Sequence, residues 1–257
     1  MADGVLTLRA PSGISGDMLA AGLARMLGLS EADFAEALSR IGLPELAGAA
    51  AVIPKHLNHI SGWGLRVDLP HAHEHNNLAD IRTILERSAL SETAKTLSLA
   101  AFHLLAEAEG AVHGMAAENV VFHEVGALDS ILDMCLASEL FAMLSPATFI
   151  CSPLPVCDGE ISCRHGLLAS PAPATLFLLQ GVPIYGIPSA GETVTPTAIA
   201  LLRAFGASFG PWPPMVLRRE DRIYGNRVLP GVANGAIFAL GEPCAEDIIR
   251  FQGNCQA

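Results

Sequence analysis

A chain that opens with a short apolar strand, a loop of small residues and an alanine-rich helix is steered toward an α/β fold. Val5 to Arg9 carries β-favouring residues and is stopped by Pro11, Ser12-Gly13-Ile14-Ser15-Gly16-Asp17-Met18 is a turn of glycine and serine, and Leu19 to Leu27 is apolar and rich in alanine. Strand, small-residue loop and helix in this order offer backbone N–H groups to an anion. The loop is not a P-loop, because the lysine of G-x-x-x-x-G-K-[ST] is missing. Ordinary helix capping is the alternative reading.

The rest of the chain continues the alternation. The pattern predicts a helix from Glu31 to Ile41, capped by Ser30 and stopped by Gly42. Trp63, Leu65 and Val67 alternate with Gly64, Arg66 and Asp68, as in a half-buried strand. Further helices are expected from Leu78 to Arg87 behind Asn76 or Asn77, from Ser91 to His113, and from near Gly126 to Leu144. Thr148 to Cys151 reads as a buried strand, and Pro153 to Pro173 as loop. A short helix at Ala174 to Gln180, a strand at Val182 to Ile187 and a helix at Thr197 to Phe205 behind Pro196 follow. Two strands are expected around Met215 to Arg218 and Ala236 to Leu240. The fold class is therefore α/β, with α+β as the alternative: a central mixed sheet with helices packed on it. Residues 1–209 form the main domain, including a histidine-rich loop at 71–77, and residues 210–257 are a strand-containing segment of the same domain. The best candidate boundary is the Gly-Pro-Trp-Pro-Pro run from Gly210 to Pro214.

Composition excludes several classes. Hydrophobic residues make up 51% of the 257, but much of that is alanine. The longest uncharged stretch, Leu140 to Cys157, is broken by Pro146, Pro153 and Pro155, so no spanning helix is expected. Met1 to Val5 lacks the basic start and apolar run of a signal peptide, and cytoplasmic residence is the expectation. The six cysteines are then expected as thiols, and the spacing of Cys151, Cys157 and Cys163 matches no zinc motif. A net charge of −11 with 15 basic residues leaves no electrostatic footprint for nucleic acid. An apolar homo-oligomer interface is expected.

Three groups of residues are able to carry chemistry. His71, His73 and His75 recur at every second position, so an extended segment places all three on one side. Neutral imidazoles suit nickel, copper, zinc and iron, and Glu74, His56 and His59 add potential ligands. A solvated polar loop is the other reading. In Phe122-His123-Glu124-Val125-Gly126-Ala127-Leu128-Asp129-Ser130, an imidazole and carboxylates gather before a helix on which Asp129 and Asp133 share a face. That group suits metal binding or acid–base work, against plain acidic capping of a helix dipole. His165 lies in a loop before Ser170-Pro171-Ala172-Pro173-Ala174-Thr175 and is a ligand, base or phosphate-contact candidate. Thr195-Pro196-Thr197 offers hydroxyls and N–H groups at a helix start, against ordinary N-capping.

Together these blocks resemble one family. Ser12 to Met18, the His71 cluster before a helix, Phe122 to Ala127 with Asp129-Ser130-Ile131, His165-Gly166 with Pro171 to Thr175, and Thr195-Pro196-Thr197 stand in the order found in the nickel insertion protein LarC. The resemblance covers residues 5 to 240. It implies insertion of Ni²⁺ into pyridinium-3,5-bisthiocarboxylic acid mononucleotide, with CTP consumed and a nickel-pincer cofactor formed. It implies metal capture by His71, His73 and His75, and an active pocket lined by His123, Glu124 and Asp129. It also implies substrate or phosphate contacts from Ser12, Gly13, Ser15, Gly16, Asp17, His165, Thr195 and Thr197. CTP, with Mg²⁺ or Mn²⁺, is expected on a C-terminal region that this chain does not contain, supplied by a LarC-like partner chain. The family commonly has Phe-Asp before the loop, where this chain has Arg9-Ala10. The rival classes are a nickel store or metallochaperone, and a diverged homologue acting on another nucleotide-like substrate.

Overall fold

The computed structural model describes residues 4–69, 76–122, 127–163, 166–189 and 191–244. The strands in chain order are β1 (Val5–Arg9), β2 (Ala50–Leu57), β3 (Ile60–Val67), β4 (Thr148–Cys151), β5 (Leu154–Val156), β6 (Glu160–Cys163), β7 (Gly166–Ala169), β8 (Ile184–Gly186), β9 (Ser208–Phe209), β10 (Met215–Ile223) and β11 (Ala236–Pro243). Seven of them form one mixed sheet in the order β2-β3-β10-β11-β1-β4-β9. The α-helices are α1 (Gly16–Leu27), α2 (Glu31–Ser39), α3 (Leu78–Arg87), α4 (Glu92–His113), α5 (Leu128–Leu144), α6 (Pro173–Leu178) and α7 (Pro196–Ala204). This is the α/β architecture, with helices on a mixed sheet, that the sequence predicts. Among the described residues no helix is long and apolar enough to cross a membrane.

Strand direction places the loops that matter. β1 is antiparallel to β11, and β11 is antiparallel to β10. β1 and β10 therefore run the same way, and the loops leaving their C-terminal ends meet at one end of the sheet. Ligands of open α/β sheets bind in such crevices beyond the carboxyl ends of strands. The 210–214 run is tied back to β1: Arg9 donates to the Gly210 carbonyl at 2.7 Å and to that of Pro211 at 3.1 Å, and its guanidinium stacks on Trp212.

α5 is the pivot of the helical layer. It packs between α1 and α4, and most of its surface is buried, including Ile131, Leu132, Met134, Cys135, Leu136 and Leu140. A helix apolar on all sides belongs in a core, so its charged residues need particular partners. Glu139, fully buried, finds them in Arg40 at 2.8 Å and in the Ser91 amide and hydroxyl, both at 2.9 Å. It thereby joins α2, α4 and α5 and supplements the Ser91 cap of α4.

Local signals explain most elements. Ser30 and Asn77 form capping boxes with Asp33 and Asp80, and Ser91 accepts from the Ala94 amide. Five strands lie outside the sequence expectation: β2, β5, β6, β7 and β9. β2 contains Pro54, which is tolerated because β2 is an edge strand paired to β3 alone. Its hairpin turns through Asn58 and His59, both at positive φ. The stretch from 153 to 173, read as loop, contains β5, paired in parallel with β8, and the β6–β7 hairpin. Strands of three and four residues among prolines are too short for periodicity to show.

Candidate functional site

The loop after β1 is fastened on three sides. The Gly13 amide donates to the Ala10 carbonyl at 3.1 Å, and the Ile14 amide to the Thr193 carbonyl at 3.0 Å. The Thr195 amide donates back to the Ile14 carbonyl at 3.2 Å, which makes an isolated parallel bridge between Ile14 and Val194. Gly13 has φ of 102°, and a Cβ there would lie 1.7 Å from the Thr193 carbonyl oxygen. Only glycine lets the two segments approach this closely. On the other side, the Ser12 hydroxyl accepts from the Gly235 amide at 3.1 Å, at the start of β11.

The helix that follows brings carboxylates together. Ser15 donates its hydroxyl to Asp17. The Asp17 amide hydrogen-bonds to Asp133 of α5. Gly16 packs on the same side chain: a Cβ there would fall 2.5 Å from Asp133 Oδ2. Burial lifts the Asp133 carboxyl well above the ordinary carboxylate range, and the negative charges of Asp17 and Asp129 lift it further, against the Asp17 amide. The shift favours the protonated form of Asp133 beside Asp17 and Asp129. Asp129 is exposed and accepts from the Ser130 amide at 2.7 Å. Among the described residues no group of three or more His, Cys, Asp or Glu side chains is arranged to hold a metal ion.

A cavity of about 350 Å³ opens against this loop. Its wall includes Ser12, Gly13, Ser15 and Asp17 of the loop, and Glu192, Thr193 and Thr195 before α7. The remaining wall comes from Lys55 and His56 of β2 and from Tyr224, Asn226, Arg227 and Asn234 between β10 and β11. Asn234 shapes that last loop by accepting from the Leu229 amide at 2.8 Å and donating to the Leu229 carbonyl at 2.6 Å.

Ser12, Gly13, Ser15, Asp17 and Thr195 thus share one cavity. Gly16 lies behind it, against Asp133. Thr195 also caps α7, accepting from the Ala198 amide at 3.2 Å. Thr197, second in α7, is partly buried and does not line the cavity. Of the extra histidines, His56 lines the cavity and His59 sits at the hairpin tip. His71, His73, His75, His123, Glu124 and His165 lie outside the described residues. The sequence reading missed Lys55, Arg227 and Asn234. Only an unpaired cation within a polar, glycine-containing stretch such as Gly225-Asn226-Arg227 marks them in the sequence.

Comparison with known proteins agrees with the family resemblance read from the sequence. The family described as nickel insertion protein matches residues 6–249. A Geotalea daltonii protein named for nickel insertion is 38% identical over 231 residues, covering 90% of this chain and 59% of its own length. The pyridinium-3,5-bisthiocarboxylic acid mononucleotide nickel insertion protein of Desulfitobacterium hafniense strain DSM 10664 / DCB-2 is 40% identical over 236 residues, covering 92% of this chain and 58% of its own length. The chain therefore spans 58% to 59% of the length of these relatives. No solved structure matches it. With a match over nearly its whole length, the chain belongs to the nickel insertion protein family.

Proposed function

We propose that the cavity beside the Ser12 loop binds pyridinium-3,5-bisthiocarboxylic acid mononucleotide, and that the chain forms the nickel-inserting part of a larger assembly. The observation that carries this reading is the cavity itself. Its volume of about 350 Å³ suits a small ligand, and its wall contains the loop and threonine turn that the family resemblance singles out.

The chemistry asks for a proton acceptor. Two thiocarboxylate sulfurs and one ring carbon of the substrate replace the ligands that held Ni²⁺. The ring C–H bond breaks, its electron pair forms the carbon–nickel bond, the metal stays Ni(II), and the proton goes to a base. Asp17 lines the cavity and is that acceptor in this reading. The raised pKa of Asp133 favours its neutral form beside Asp17, which lessens charge repulsion there. His71, His73 and His75 deliver the ion, borderline nitrogen donors that softer sulfur can displace. His123, Glu124 and Asp129 are assigned to the active pocket on the family resemblance alone.

The groove at Arg218 and Arg219 has two cations, but Arg218 pairs with Glu242 at 2.8 Å and Arg219 donates to the Arg25 and Met26 carbonyls. No CTP step is assigned to it. In this reading CTP, with Mg²⁺ or Mn²⁺, belongs to the C-terminal region that the relatives' greater length provides.

The test is mass spectrometry of the nucleotide after incubation with Ni²⁺, CTP, Mg²⁺ or Mn²⁺, this chain, and the C-terminal region of a relative on a second chain. The expected product is a nickel adduct that has lost the ring proton, absent with Asp17→Asn. Nickel bound to protein with no metallated nucleotide under these conditions would reject the insertion reading in favour of a store.

A further inference from the structure

Several donors that the Ser12 loop and the threonine turn would offer to a phosphate are already engaged. The amides of Gly13, Ile14 and Thr195 go to the carbonyls of Ala10, Thr193 and Ile14. The Asp17 amide goes to Asp133, and the Ser15 hydroxyl to Asp17. Asp17 and Glu192 add negative charge to the same cavity. In a chain of net charge −11, a dianionic phosphate needs local cations to enter such a site.

The opposite wall supplies two. Lys55 and Arg227 both line the cavity. The Lys55 ammonium donates to the Gly225 carbonyl at 3.2 Å and to Asn226 Oδ1 at 2.8 Å. Both acceptors are neutral, so its charge is not compensated and one of its three N–H donors is uncommitted. The Arg227 guanidinium lies over Gly191, where a Cβ would be 3.0 Å from Nη2. Among the described residues neither cation takes part in an ion pair. They come from β2 and from the loop after β10, far apart in sequence, yet Lys55 bonds to the residue next to Arg227. A point charge and a planar guanidinium lining one cavity can together hold a phosphate.

We propose that Lys55 and Arg227 are the phosphate-recognition pair of this cavity, so that the site selects phosphate monoesters over the corresponding ribosides. The proposal rests on the nucleotide reading above, and it names the part of the ligand that this wall recognises. The loop and the threonine turn then shape the cavity, while the cations hold the ligand's charge.

The experiment is calorimetric titration of the chain with nicotinic acid mononucleotide, with its riboside, and with ribose 5-phosphate. The wild type is expected to bind the mononucleotide about tenfold or more tighter than the riboside, the scale of a charge-assisted hydrogen bond. Lys55→Gln and Arg227→Gln each reduce that ratio, and the double variant brings it to about one while still binding the riboside and keeping the wild-type circular-dichroism spectrum. Equal affinity of the wild type for mononucleotide and riboside, or a ratio that survives the double substitution, overturns the pair. Binding of ribose 5-phosphate that depends on both cations, with neither pyridinium compound bound, keeps the pair and rejects the pyridinium reading. Binding of no phosphate-bearing probe overturns the pair.

Discussion

Gly16 and Asp133 are in direct contact: a methyl group on Gly16 would come within 2.5 Å of the Asp133 carboxylate oxygen and 2.9 Å of its Cβ. The start of α1 and the first turns of α5 are fixed to each other through this pair. Gly16→Ala is expected to cost about 1–3 kcal/mol, the usual range for overpacking. The cost should shrink in an Asp133→Ala background, because the nearest atom is then gone. Urea denaturation of the two singles and the double variant measures the coupling.

Asp133 gives the fold a pH dependence of known sign. Its carboxyl in the folded protein lies well above the ordinary range, chiefly through burial. The folded state therefore binds this proton more tightly than the unfolded chain does. The resulting stability is complete below the ordinary carboxylate range and is lost as pH rises through the raised value. Asp133→Asn should be the more stable protein at neutral pH, with the gap to wild type closing toward acid. Urea midpoints across that pH span test it. A gap that widens toward acid would contradict the assignment.

The buried Glu139 holds three helices through one carboxylate. Glu139→Ala leaves Arg40 with Glu36 alone and the Ser91 amide and hydroxyl without their acceptor. A loss of about 1–3 kcal/mol is expected, as for buried donors that lose their acceptor. Glu139→Gln keeps an acceptor for Ser91 and should lose less. Thermal and denaturant melts of both variants decide this.

How these contacts could be read in advance differs from case to case. The caps at Ser30, Asn77 and Ser91 are local, so the helices behind them are legible from the sequence. Asp129 and Asp133 are legible as one helix face, because four residues make about one turn. Their meeting with Gly16 and Asp17 is not, since it depends on how α1 and α5 cross. Pro54 conceals β2 because a proline argues against a strand unless the strand is known to be an edge. The cavity wall is the least legible part. Lys55 meets Asn226 across 171 positions of sequence, and no periodicity carries that information.

The Gly13–Thr193 approach predicts a local opening. Gly13→Ala would place a Cβ 1.7 Å from a carbonyl oxygen at a φ that alanine disfavours. The Ile14–Val194 bridge should break, and the amides of Ile14 and Thr195 should exchange with solvent faster together, by about tenfold or more. Exchange accelerated at one of them alone would contradict the bridge.

The central claim is that the nucleotide sits between the Ser12 loop, the threonine turn and the loop after β10. Amide hydrogen exchange of the chain with and without pyridinium-3,5-bisthiocarboxylic acid mononucleotide tests it most directly. Added protection is expected in residues 12–17, 193–195 and 224–235. Protection confined to other segments, or none in these three, would contradict it.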